Sequence, residues 1–210
     1  MTHVLVVAKA PQPGRVKTRL CPPFTLSEAA ELAAAALADT LDAVAASGAD
    51  RHVLALDGPP GDWIPPGFEV FEQRGDGLAA RLAHAWSTAG GPGLQIGMDT
   101  PQVTPALLDH CLDRLLEPGN DAALGLARDG GWWAIGLWNP DPAVFLGVPM
   151  SAPTTGSSQR RRLDDLGLTV ADLPVLRDVD TIADVVAVAA EAPGTSFAAA
   201  VRRLSSAMSA

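Results

Sequence analysis

Tyrosine is missing altogether from the 210-residue chain, cysteine occurs twice, and 15 lysines and arginines face 24 aspartates and glutamates. With a net charge of −9 there is no broad basic face for a phosphate backbone, which argues against a nucleic-acid partner. The same balance offers nothing to an anionic membrane surface. Cys21 and Cys111 are far apart and have neither a C-x-x-C spacing nor a neighbouring histidine. That excludes a disulfide framework or zinc site and makes a reducing cytoplasm the expected compartment. The four histidines, His3, His52, His84 and His110, are scattered and read as strand-edge or helix-surface residues. No apolar run reaches the roughly 20 residues of a membrane span. The chain enters an apolar strand almost at once, so no signal peptide is expected.

What is present alternates. The apolar run His3–Ala8 predicts a buried parallel strand. Thr25-Leu-Ser-Glu28 is a capping box that starts a helix running to Ala46, with Gly48 as its left-handed stop. Strands are expected at His52–Leu56, Phe68–Phe71, Leu94–Gly97, Ala122–Ala127 and Trp133–Trp138, and around Leu168–Leu173. Helices are expected at Leu78–Ser87, at Pro105–Glu117 behind a Thr104 cap, near Ser158–Leu166, and from Asp180 onward. This alternation predicts one α/β domain with a mostly parallel central sheet flanked by helices, its ligands bound beyond the carboxyl ends of the strands.

Four segments carry candidate chemistry. Lys9-Ala-Pro-Gln-Pro-Gly-Arg-Val-Lys-Thr-Arg-Leu20 gathers Lys9, Arg15, Lys17 and Arg19 into a Gly/Pro-shaped loop that reads as non-helical. It is not a Walker A loop, which needs glycine directly before Lys-Ser/Thr, and it lacks the G-x-G-x-x-G fingerprint. A phosphate site, with Gly14 permitting close backbone approach, competes with a merely solvated basic loop. Asp99, at the tip of a buried strand, suits Mg²⁺, which favours one or two carboxylates together with substrate phosphates; the alternative is a turn or cap role. Asp178 and Asp180, two residues apart on an extended segment, share a face and compete as ligands, while Asp180 and Asp184 also suit the start of a helix. Asp129-Gly-Gly131 reads as a tight turn, and the adjacent Trp132 and Trp133 place one ring on each sheet face.

Together these segments resemble the GT-A-fold, glycosyltransferase-like members of the nucleotide-diphospho-sugar transferase superfamily, which are related to nucleotidyltransferases of the 2-phospholactate guanylyltransferase type. The resemblance rests on Lys9-Ala-Pro11…Gly14-Arg-Val-Lys-Thr-Arg-Leu20, on Gln73, Gly75, Leu78, Arg81 and Leu82, and on Gly97-Met-Asp-Thr-Pro101. It rests also on Asp129-Gly-Gly-Trp-Trp-Ala-Ile-Gly136 and on Asp178 to Asp184. Met98 stands where a small polar residue is expected, Ala79-Ala80 where Gly-Glu is usual, and tryptophans where the pattern has tyrosines. The resemblance implies a single GT-A domain over residues 1–210: a nucleotide-binding half to about 100, an acceptor half over about 101–190, and a C-terminal helix near 195–208. It implies that Lys9, Gly14, Lys17, Arg19, Gln73 and Arg81 receive the nucleotide and its phosphates. Asp99 and Asp180, with Asp178 as competitor, would hold Mg²⁺ or Mn²⁺. Asp129 is the candidate acceptor-side base, and Gly130, Gly131, Trp132 and Trp133 the acceptor pocket. The expected activity is metal-dependent glycosyl transfer from a nucleotide sugar to a small-molecule acceptor. Transfer of NMP from an NTP to a phosphorylated metabolite is the alternative, and a non-catalytic nucleotide-binding protein the third reading.

Overall fold

Alternation of buried apolar runs with amphipathic segments produces seven strands and six helices over residues 1–208, which the structure, a computed structural model, describes. The strands are β1 (His3–Lys9), β2 (Arg51–Asp57), β3 (Phe68–Glu72), β4 (Gly93–Ile96), β5 (Ala122–Leu126), β6 (Trp132–Leu137) and β7 (Val170–Asp172). The helices are α1 (Leu26–Ala45), α2 (Gly77–Ala89), α3 (Pro105–Leu116), α4 (Thr155–Asp165), α5 (Ile182–Glu191) and α6 (Ser196–Met208). One mixed sheet runs β3-β2-β1-β4-β6-β5-β7. Its strands pair parallel except where β6 meets β4 and β5, to both of which it is antiparallel.

Helices cover both faces. The inner stripe of α1 (Ala30, Ala33, Leu37, Leu41, Val44) and Leu108, Cys111 and Leu115 of α3 pack on one face. Leu82, Ala85 and Trp86 of α2, Leu163 of α4, and Val144 and Phe145 of a short 3-10 turn cover the other. The outer stripe of α1 (Ala29, Leu32, Ala36) meets α5, α6, Leu20 and Phe24 in a third cluster. Two apolar stripes at helical spacing explain why α1 is so rich in alanine: it is packed on both sides. The capping box forms as the sequence predicts, Thr25 accepting from the Glu28 amide and Glu28 from the Thr25 amide.

Three local expectations are corrected. The basic loop does contain one helical turn, a 3-10 turn over Thr18–Leu20. α1 stops before Gly48, whose amide instead donates to Asp109 Oδ1 at 2.7 Å. His3 is not a surface residue; it is fully buried against Trp86, its ring centroid 5.4 Å away. Burial, aided by the Arg51 charge, lowers its pKa from 6.5 to about 4. Below pH 6.5 the unfolded chain takes up a proton that the folded chain refuses, so this group's stabilisation is full above 6.5 and is lost as pH falls towards 4. Relative to His3→Phe, the wild type should lose on the order of 2 kcal/mol between pH 7 and pH 5. Urea unfolding of both proteins at the two pH values measures it, and an unchanged gap would mean that the ring is protonated in the fold.

Candidate active site

The parallel strands share one carboxyl edge, so Lys9, Asp57 and the residues following β3, β4 and β5 all leave the sheet on the same side. Lys9 and Asp57 are register partners. Strand order reverses between β1 and β4, the crevice where open α/β sheets place ligands. There the Lys9 amide donates to Met98 Sδ at 3.3 Å, a contact that uses the residue departing from the expected pattern. A cleft of about 1000 Å³ opens over this edge. Lys9, Lys17, Arg19, Gln73, Arg81, Asp99, Asp129, Gly131, Trp132, Trp133, Asp178 and Asp180 all reach it. Gly14 and Gly130 do not line it. Gly14 turns the basic loop at φ +78°, and the Gly130 carbonyl accepts from the Gly156 amide.

The centre is an acid cluster around one ammonium. Lys17, in a left-handed conformation (φ 49°), drives its side chain inward, 8 % exposed, against Asp99 Oδ1 at 2.8 Å and Asp180 Oδ1 at 3.3 Å. Its third donor goes to the Val179 carbonyl. All three N–H groups are spent, so Lys17 is an internal counter-ion rather than a free phosphate ligand. Burial alone would lower its pKa, but Asp99 and Asp180 more than offset this and raise it above the ordinary value. Arg19 touches Asp180 Oδ2 at 3.1 Å and is otherwise largely exposed. The late acidic segment is fixed by the Val179 amide, which donates to the Asp99 carbonyl at 2.9 Å.

Asp178 is different. Its Oδ1 is buried without a partner among the described residues. Burial first, then the charges of Asp99 and Asp129, push its pKa from 3.8 up to about 8, with Lys17 opposing. Asp184, by contrast, is a capping acid, bonded to Thr181 and to Arg177. No three His, Cys, Asp or Glu side chains among the described residues already stand in a coordinating arrangement. The donor set nonetheless fits a hard divalent cation: hard carboxylate oxygens, one of them unpaired and buried, with Mg²⁺-type sites normally completed by substrate phosphates.

Arg15 and Arg81 form a second group around Asp57, a strand-end acid that is not among the sequence-predicted site residues. Arg81 pairs with Asp57 at 2.9 Å and Arg15 with it at 3.5 Å. The Gln73 amide is occupied, donating to the carbonyls of Ala8 (2.7 Å) and Ala55 (2.9 Å), so it clamps the ends of β1 and β2.

On the other side, Asp129 Oδ1 accepts from the Gly131 amide at 2.8 Å, closing the turn before β6. The pairing of β5 with β6 then slips: Gly125 faces Ala134, Leu126 faces Trp132, and Trp133 is the extra residue. This bulge sends Trp133 into the α1/α3 core, its indole N–H donating to the Pro174 carbonyl at 2.8 Å. Trp132 is sent towards the α2/α4 side. The two rings thus lie on opposite faces, and the bulge decides which takes which. A side chain on Gly125 would collide with Trp133, 2.5 Å away. Gly130 (φ +93°) accepts from the Gly156 amide, and a Cβ there would stand 2.0 Å from the Pro153 carbonyl oxygen. Gly130→Ala should therefore displace the start of α4 and cost about 2 kcal/mol or more. Chemical unfolding measures it, and a loss below about 0.5 kcal/mol would contradict this packing.

The profile of a family described as "Uncharacterized protein conserved in bacteria (DUF2064)" matches residues 29–152. A comparison with curated proteins returns no match. Among solved structures, the chain is similar to a Desulfovibrio desulfuricans G20 protein provisionally described as a nucleotide-diphospho-sugar transferase. The identity is 26%, covering 98% of this chain and 95% of that one, with a TM-score of 0.87. It shares its fold with 2-C-methyl-D-erythritol 4-phosphate cytidylyltransferase from Thermus thermophilus (20% identity, 90% and 98% coverage, TM-score 0.54). It also shares it with a CMP:2-keto-3-deoxy-manno-octonic acid synthetase in complex with CTP (14% identity, 90% and 98% coverage, TM-score 0.56). The fold is that of the nucleotide-diphospho-sugar transferases. No helix among the described residues is long and apolar enough to cross a membrane.

Proposed function

The chain belongs to the bacterial family described as DUF2064, and on that footing we propose that it is a transferase that binds a nucleotide-diphospho-sugar in the cleft and passes the sugar to a small-molecule acceptor. The observation that carries the reading is the unpaired, buried Asp178 Oδ1 within an acid cluster that is ion-paired with the basic loop through Lys17 and Arg19 and lines a substrate-sized cleft. The 26%-identical transferase-like structure, similar over nearly the whole chain, supports it.

Asp99, Asp178 and Asp180 would hold Mg²⁺ or Mn²⁺, which when bound supplies charge stabilisation for the departing nucleoside diphosphate. Arg19 commits one nitrogen to Asp180 and presents the rest of its planar fork to phosphate oxygens. Lys9, exposed at the end of β1, adds a point charge. Arg15 and Arg81 are steadied by Asp57 at the nucleotide end, and Lys17 holds Asp99 and Asp180 together from beneath. Asp129 keeps one carboxylate oxygen on the turn and offers the other to the acceptor hydroxyl as a general base. As that proton passes to Asp129, the acceptor oxygen bonds to the sugar's anomeric carbon. The bond from that carbon to phosphate breaks, and the electron pair leaves with the nucleoside diphosphate.

A second reading, nucleotidyl transfer from an NTP, is favoured by the number of cations at the mouth. Lys9, Arg15 and Arg19 all retain exposed positive charge, enough for a triphosphate. Thermal shift against NDP-sugars, NDPs and NTPs, with and without Mn²⁺, separates the readings. Metal-dependent stabilisation by NDP-sugar and NDP is the expected result. Preference for NTP would move the assignment to nucleotidyl transfer, and a metal-independent response to a nucleotide-binding protein without catalysis.

A further inference from the structure

The part of the cleft wall on the α2/α4 side has a different chemistry. Val7, Leu82, Gln95, Trp132 and Met150 form it, on the α2/α4 side of the sheet. Gln95 sits at a core position of β4, paired with Leu5 and Ile135, and is 2 % exposed. Its Oε1 has no partner, and neither does the buried Trp132 Nε1. An apolar residue would serve β4 better if packing were the only demand, because a buried amide without partners is costly. The β6 bulge aims Trp132 to the same side. The wall thus offers an unmet acceptor and an unmet donor set among apolar surfaces.

It offers nothing to an anion. Among the described residues on this wall there is no lysine or histidine. The arginine at its edge, Arg81, is paired with Asp57. The amides of Thr155 and Gly156, at the start of α4, are spent on the carbonyls of Ala152 and Gly130. Asp129 lines the same cleft, and its carboxylate repels negative charge.

We infer that this wall is a subsite for a neutral, hydroxyl-bearing ring or polyol, whose hydroxyls donate to Gln95 Oε1 and accept from Trp132 Nε1–H, and that it excludes phosphate esters. The indole and methionine surfaces suit the C–H face of a sugar ring, with the amide and the indole N–H fixing its orientation. The inference rests on the transferase reading only in naming which substrate sits there. Within that reading it favours glycosyl transfer over nucleotidyl transfer to a phosphorylated acceptor.

Saturation-transfer NMR on the full chain, with glucose against glucose 1-phosphate and glycerol against glycerol 3-phosphate, tests it. At least one neutral probe should bind, with its phosphate ester about ten-fold weaker or undetected. Gln95→Met, which nearly keeps volume, and Trp132→Phe, which keeps an aromatic ring, both remove the polar atom and should each weaken the neutral probe roughly three- to ten-fold. Nucleotide affinity, measured by calorimetry, should change less than two-fold. Melting curves check that both variants fold, and Trp132→Phe, at a partly exposed position, decides alone if Gln95→Met does not. Repeating the titration with a saturating NDP-sugar should leave the neutral probe bound, as a subsite for the acceptor requires, and competition between the two would overturn the exclusion of phosphate esters. Tighter binding of the esters, no neutral binding, or neutral affinity indifferent to both substitutions would overturn the subsite. If nucleotides fail to bind while the neutral probe still depends on Gln95 and Trp132, the transferase reading falls and the subsite stands.

Discussion

Asp178→Asn should make the metal-free protein more stable and deprive it of its response to Mn²⁺. The wild-type carboxyl, with a pKa of about 8 in the fold against 3.8 ordinarily, resists ionisation because it is buried beside Asp99 and Asp129. Between pH 4 and pH 8 the folded chain holds a proton that the unfolded chain has released, so stability falls as pH rises through that window. At neutral pH the cost is on the order of 4 kcal/mol, and the neutral, nearly isosteric amide removes most of it. Differential scanning calorimetry in chelator should show a melting temperature about 5–10 °C above wild type at pH 7.5, with the difference shrinking towards pH 4. Adding Mn²⁺ and nucleoside diphosphate should then raise the wild type and leave the variant where it is. A variant less stable than wild type in chelator would mean that Asp178 has a structural partner, and a variant still stabilised by Mn²⁺ would remove it from the ligand set.

Lys17→Met should have the opposite sign. The ammonium is the shared partner of Asp99 and Asp180, and without it Asp180 keeps only Arg19 and Asp99 has no ion-pair partner among the described residues. Breaking a fully buried pair costs about 3–5 kcal/mol, but both acids are more than a third exposed, so water absorbs part of the loss and about 1–3 kcal/mol is expected. The informative observation is the rescue. A divalent cation at these acids replaces the missing charge, so Mn²⁺ should stabilise Lys17→Met more than it stabilises the wild type. Equal or smaller stabilisation by Mn²⁺ would show that the ammonium and the metal do not share the same acids.

The parts of this molecule that were legible in the sequence are those with local causes. Strand–helix alternation announced the sheet, and Thr25 and Thr104 announced their helices. Strand ends carrying Lys9 and Asp99 announced the edge over which the cleft opens. Asp57 obeys the same strand-end rule and could have been found by it. The remainder depends on long-range geometry. Nothing in the apolar pattern of β6 records that it runs against its neighbours or that Trp133 is a bulge, because a strand reads alike in both directions. The pairing of Lys17 with Asp180 joins positions 163 residues apart, so local patterning could name both residues without showing that they meet. Gln95 is not legible as a site residue, because a glutamine inside a short buried strand reads as part of the strand. Its unmet amide becomes meaningful only when the cleft is seen beside it.

Central to the account is one divalent cation shared by the strand-end acid and the late acids. Mn²⁺ binding, read by electron paramagnetic resonance with a nucleoside diphosphate present, tests it in double-mutant cycles of Asp99→Asn with Asp178→Asn and with Asp180→Asn. Acids around one ion cannot be removed independently, so each single substitution should take away most of the affinity and each double should lose little more than the worse single. Losses that add in both cycles would contradict the shared site.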